Sequence, residues 1–130
     1  MAGFLRVLDV GQCGFDHTAI ADFVHQSTGA VVDRAATAAD MDACLARHRY
    51  ALILINRILD ADGTPGLDVI KNMKNKPGCP PLMLVSNFPD AQRAAVDAGA
   101  VEGFGKNSLH LARTAELLRA AVERKTEPGG

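Results

Sequence analysis

Two short, unbroken apolar runs constrain this chain most: ALILIN at 51–56 and PLMLVS at 81–86. Each is too short for an ordinary helix and offers no alternate polar position to turn toward water. Each therefore reads as a strand covered on both faces, the pattern of a parallel sheet flanked by crossover helices. FLRVLDV (4–10), AVVDRA (30–35) and VEGFG (101–105) are the other strand candidates.

The segments between them carry a helical period. Ile20, Phe23 and Val24 share one face, as do Met41, Cys44 and Leu45. Leu67, Ile70 and Met73 make a third stripe, and Leu111, Ala115, Leu118 and Val122 a fourth. The alanine-rich stretch near 89–98 predicts a further helix that ends at Gly99 in a left-handed cap. Asp16 and Thr37 occupy N-cap positions, and Thr37 with Asp40 resembles a capping box. Pro77, Pro80 and Pro81 punctuate the loop before the fourth strand. Five strands alternating with five helices predict one three-layer α/β domain, a doubly wound parallel sheet over residues 1–125, with a flexible tail at 126–130.

Composition excludes several functions. A hydrophobic fraction of 48% with 22% charged residues fits an ordinary globular domain. Fourteen basic against fifteen acidic residues leave a net charge of −1, so electrostatics favours neither nucleic acid nor an anionic membrane as partner. No apolar run approaches the roughly 18 residues that span a bilayer, and the N-terminus lacks a signal-peptide layout. Cys13, Cys44 and Cys79 share no metal-type spacing, which predicts reduced thiols in a cytoplasmic protein.

In parallel α/β folds chemistry collects at the carboxyl ends of strands. Here those positions hold Asp9, Val10, Asn56, Ser86 and Lys106: one carboxylate, one amide, one hydroxyl and one ammonium beside an apolar residue. Asn56 donating to Asp9, with Lys106 neutralising it, would make a satisfied, locked network.

The element order and these residues resemble the receiver domain of bacterial response regulators over about residues 4–123. The resemblance implies a flavodoxin/CheY-like sheet of order 2-1-3-4-5. In that family, acidic residues ending the first strand and an aspartate ending the third bind Mg²⁺ and accept phosphate. Asp9 matches the first acid, Val10 falls on the second, and Asn56 falls on the phosphoacceptor. Ser86 and Lys106 match the hydroxyl and lysine positions, although Asn107 replaces the usual proline. Gly103 stands where the switching aromatic is usual, with Phe104 beside it, and the loop DADGTPG is about three residues longer than the family's.

The departures strike one chemistry. An amide oxygen is a poor nucleophile toward phosphorus, and a single carboxylate does not satisfy octahedral Mg²⁺. The resemblance therefore implies a pseudo-receiver with neither metal nor cofactor, and a non-enzymatic, stand-alone signalling or adaptor role. Its partner would be a kinase, regulator or output protein, with dimerisation through the fourth helix, fifth strand and fifth helix. That surface would include Gln92, Arg93, Val96, Phe104, Leu109 and Arg113. The alternative is a nucleotide- or ion-sensing domain that uses the strand-end crevice.

Other motifs have plainer explanations. GQCGFDH (11–17) places Cys13 and His17 near Asp9 and Asp16, donor types suited to a transition metal, but the spacing fits no standard motif. GQCG is no phosphate loop, and DADG (60–63) lacks the later ligands of a calcium loop, so both read as turns. His25, His48 and His110 read as surface residues. Lys71, Lys74 and Lys76, like Arg113, Arg119, Arg124 and Lys125, read as solvated faces, with an anionic ligand as the alternative.

Overall fold

A computed structural model describes residues 5–123. The expected tail at 126–130, the end of the predicted domain at 125, and Arg124 and Lys125 lie outside the described residues. The elements run β1 (Arg6–Val10), α1 (Gly14–Thr28), β2 (Val31–Ala35), α2 (Ala38–Arg47), β3 (Leu52–Asn56), α3 (Gly66–Lys74), β4 (Leu82–Val85), α4 (Pro89–Asp97), β5 (Val101–Phe104) and α5 (Ala112–Glu123). A short 3₁₀ turn, Lys106–Ser108, joins the last two. All strand pairs are parallel, in the order β2-β1-β3-β4-β5 expected from the sequence.

The apolar runs are explained by the pleat. Successive side chains of a strand point to opposite faces, so β3 sends Ile53 and Ile55 one way and Leu52 and Leu54 the other. On the first side they meet Met41 of α2, Ile70 and Met73 of α3, and Ala95 of α4. On the second they meet Ile20, Phe23 and Val24 of α1, and Ala115, Leu118 and Val122 of α5. Each such side chain, fully buried, contributes about 1.5–3 kcal/mol by removal from water.

Some local expectations change and others hold. The cap of α1 is Cys13, whose Sγ accepts from the Asp16 amide at 3.5 Å, so Asp16 sits one turn inside the helix with its carboxylate free for other work. Thr37 caps α2 as expected, its hydroxyl accepting from the Asp40 amide at 3.1 Å. Leu111 precedes α5 and is half exposed, so the buried stripe there starts at Thr114 and Ala115. The loop after β3 is not simply polar: Leu59 is fully buried, its amide donates to the Thr64 carbonyl at 2.8 Å, and Ile58 forms an antiparallel bridge with Pro65. The DADG segment does turn, with the Asp62 carboxylate accepting from the Thr64 amide at 3.0 Å. At the end of α4, Ala98 closes the last turn and Gly99 takes φ +114°.

Gly66 is where this loop enters α3. Its amide donates to the Arg57 carbonyl at 2.7 Å, and a Cβ there would fall on the Asn56 carbonyl oxygen. Gly66→Ala is expected to lower unfolding free energy by about 1–3 kcal/mol, since backbone rather than a flexible side chain must yield. Urea denaturation of the two proteins measures it.

Candidate functional site

The carboxyl edge of the sheet brings together the residues that the sequence singled out. β1 ends at Val10, and Gly11 turns the chain at φ +86°. A side chain on Gly11 would collide with Leu59, so the turn and the buried loop residue need each other. Val10 is buried against the α2–α3 side, and Asp9 points to the other face with 0% exposure.

Asp9 does not pair with Asn56 or Lys106. Its Oδ2 lies 2.8 Å from His17 Nδ1. Because Cys13 caps α1, His17 falls on the fourth residue of the helix, whose first turn sits over the end of β1. Burial raises the Asp9 carboxyl above its ordinary range; the His17 hydrogen bond and charge, and more weakly the Lys106 charge, pull it partly back. Gln12 is also buried beside it, yet neither amide atom has a hydrogen-bond partner among the described residues, nor does Asp9 Oδ1.

Lys106 reaches Asp16 instead, Nζ to Oδ2 at 2.7 Å, with both side chains about one-third exposed. That hydrogen bond is the main reason the Asp16 carboxyl sits below its usual range. Asn56 donates through Nδ2 to the Gly11 carbonyl at 3.1 Å. The buried Ser86 accepts at Oγ from the Phe88 amide at 3.1 Å. Beside them Arg57 stacks its guanidinium 4.8 Å above the Phe88 ring. Asn56, Arg57, Ser86, Phe88 and Lys106 line a crevice of about 170 Å³, room for an ion rather than a nucleotide.

The weighed transition-metal grouping is not assembled: no three His, Cys, Asp or Glu side chains converge on a metal position among the described residues. Mg²⁺ does not fit the strand ends either. It needs several charged oxygens, whereas Val10 is apolar, Asn56 turns its amide nitrogen to Gly11, and one oxygen of Asp9 is taken by His17.

The α4–β5 side carries a second polar arrangement. Gln92 Nε2 lies 2.9 Å from the Leu84 carbonyl, 3.1 Å from that of Ser86 and 3.3 Å from that of Phe104, while its Oε1 accepts from the Gly103 amide at 3.2 Å. A Cβ on Gly103 would strike the Leu84 carbonyl and stand 2.8 Å from Gln92 Oε1, so the glycine makes room for this bridge. Of the expected interface residues, Phe104 faces the core and is buried, and Gln92 is spent on the bridge. Arg93, Val96 and Arg113 are exposed, and Leu109 is half buried. Sequence reasoning missed the His17–Asp9 pair, buried Gln12, the Gln92 bridge and Leu59. Only His17 gave a signal, by lying near the edge in GQCGFDH.

No family model matches the sequence, and no curated protein matches it. Solved structures do resemble the fold. A response regulator from Thermotoga maritima superposes with a TM-score of 0.76 at 17% identity, covering 93% of this chain and 99% of its own. A two-component response regulator from Clostridium difficile gives 0.75 at 18%, covering 95% and 99%. The beryllofluoride-activated NtrC4 receiver domain dimer gives 0.76 at 18%, covering 91% and 96%. The fold is thus the CheY-like fold of response-regulator receiver domains. No helix among the described residues is long and apolar enough to cross a membrane.

The raised Asp9 pKa has a signed consequence. The folded state holds the Asp9 proton more tightly than the unfolded chain, so its contribution is present below about pH 4 and lost as pH rises through the folded value. Asp9→Asn keeps an acceptor for His17 and removes the titration. Its melting temperature relative to wild type is expected to rise as pH climbs from about 4 toward neutrality. Thermal melts across that range test this, and a pH-independent difference would contradict it.

Proposed function

We propose that this chain is a phosphorylation-independent pseudo-receiver, a non-enzymatic signalling or adaptor module that works through protein–protein contact. The observation that carries the reading is Asn56 at the end of β3, its amide committed to the Gly11 carbonyl. In the receiver family that position is the phosphoacceptor, and an amide there forms no acyl phosphate. The surroundings agree: Lys106 is engaged by Asp16, Asp9 by His17, and Gly103 has no side chain to act as an aromatic switch.

Incubation with Mg²⁺ and acetyl phosphate is expected to leave the intact mass unchanged and to produce no saturable amide shifts at Asp9 or Asn56. A phosphoryl mass increment would overturn the reading. Saturable Mg²⁺ shifts without one would favour a second reading, ion sensing in the crevice. That alternative draws on the unpartnered Asp9 Oδ1 and Gln12 amide, which lie buried at the same strand edge but outside the lining of the crevice.

A kinase, regulator or output protein is the partner class this fold suggests, and the exposed face of α4, β5 and α5 is the candidate contact and homodimer surface. The NtrC4 receiver, of the same fold, is a dimer in its beryllofluoride-activated form. Here the contact side chains would be Arg93, Val96, Leu109 and Arg113, since Phe104 is turned inward. Reversing both arginines to glutamate is expected to weaken self-association in sedimentation velocity by tenfold or more, about 1.4 kcal/mol. Association that survives the double change would exclude this face.

A further inference from the structure

A second cavity opens at the opposite edge of the sheet, about five residues of strand away from the crevice. It has a volume of about 620 Å³, within the size range of small-molecule sites at roughly 300–1,000 Å³. The ends of α2 and α3 form its sides, through Leu45 and Met73, and the segments entering β3 and β4 close it with Tyr50 and Cys79.

The apolar wall is fixed before any ligand arrives. Tyr50 is buried, and its hydroxyl donates to Asp33 Oδ2 at 2.7 Å. Asp33 in turn accepts two hydrogen bonds from Arg6 Nη1, at 3.2 and 2.9 Å. Burial and the neighbouring carboxylate push the phenol up, so Tyr50 stays neutral, packed into the wall of the groove. His48 packs edge-on against that ring with centroids 6.1 Å apart. Met73 is buried as floor, while burial keeps the Cys79 thiol protonated and its Sγ donates to the Pro80 carbonyl at 3.2 Å. The proline-flanked turn holds this side of the mouth, with few rotatable groups left to order on binding.

The rim has one sign of spare charge. Lys76 stands 3.9 Å from Asp42, a loose pair that cancels itself. Arg49 lines the same mouth and has no ion pair or side-chain hydrogen bond among the described residues. A half-open groove with an apolar floor, and at its lip a guanidinium unpaired among the described residues, matches a ligand with an apolar body and one planar anionic head.

We propose that this groove binds a small organic monocarboxylate with an aromatic body, its ring between Leu45, Tyr50 and Met73 and its carboxylate on Arg49. The site is separate from the carboxyl edge and does not rest on the function proposed above. Nothing in it supplies a nucleophile, so the role is recognition rather than reaction.

Benzoate and indole-3-acetate, titrated into the ¹⁵N-labelled full chain, are the probes. Saturable shifts are expected at Leu45, Ala46, Met73, Gly78 and Cys79, with Asn56 and Ser86 silent. Benzylamine, which carries the opposite charge, is expected not to saturate. Arg49→Gln, an exposed change whose spectrum reports its own fold, should weaken benzoate by tenfold or more through the loss of a charge-assisted hydrogen bond. Ala46→Trp should abolish binding by filling the mouth. The proposal is overturned by no saturation with either acid at millimolar concentration, by benzylamine binding as well as benzoate, or by unaltered affinity in Arg49→Gln.

Discussion

The carbonyl of Gly11 is the point on which the carboxyl edge depends. It accepts from Asn56 Nδ2 at 3.1 Å and from the Asp60 amide at 2.9 Å, while the Gly11 amide donates to the Ala35 carbonyl at 2.8 Å. One residue, through the two peptide groups that flank it, thus ties together the ends of β1, β2 and β3 and the loop that follows. A carbonyl has two lone pairs, and both are used. The left-handed turn at Gly11 aims that oxygen, and Leu59 fills the space a side chain would take. A metal-binding edge would need its acidic oxygens facing a shared centre; this one is organised around a backbone acceptor.

That organisation follows from the distribution of polarity. Where Val10 stands, the chain has invested in apolar burial on the α2–α3 side, and the longer loop adds Leu59 to the same core. Asp9, facing the other way, then needs a local partner, because a buried carboxylate without one is costly. His17 answers from the first turns of α1. Lys106, no longer needed by Asp9, finds Asp16 across the edge. The pairs are local solutions to burial rather than parts of one cluster.

The architecture was legible because long-range order was written in short-range pattern. The runs at 51–56 and 81–86 required two covered faces, and the helical stripes at Ile20, Ile70 and Leu118 supplied the cover. Residues at strand ends were legible for the same reason, since a strand's last residue is fixed once the strand is. Pairing among them was not. Whether Asp9 meets Asn56 or His17 depends on where α1 begins, and that turned on a cysteine acting as cap where an aspartate is the usual choice. Leu59 was hidden by its company of Asp and Gly, and Gln92 by its place in an alanine-rich helix, where a long amide reads as solvated. Phe104 was assigned outward beside Gly103, although strand alternation puts the two on opposite faces.

The Gln92 bridge gives α4 and the last two strands a shared fate. Its amide reaches the backbone of β4 at Leu84, of the residue after it at Ser86, and of β5 at Phe104 and Gly103. To part α4 from β5, the bonds to Phe104 and Gly103 must open, and to part it from β4 the bonds to Leu84 and Ser86 as well, all at a part-buried position. Shared bonds of this kind favour opening of the three elements as one unit in local unfolding rather than one helix at a time. A displacement of α4 would thus reach β5, the edge strand of the sheet, through the Gln92 side chain that joins them.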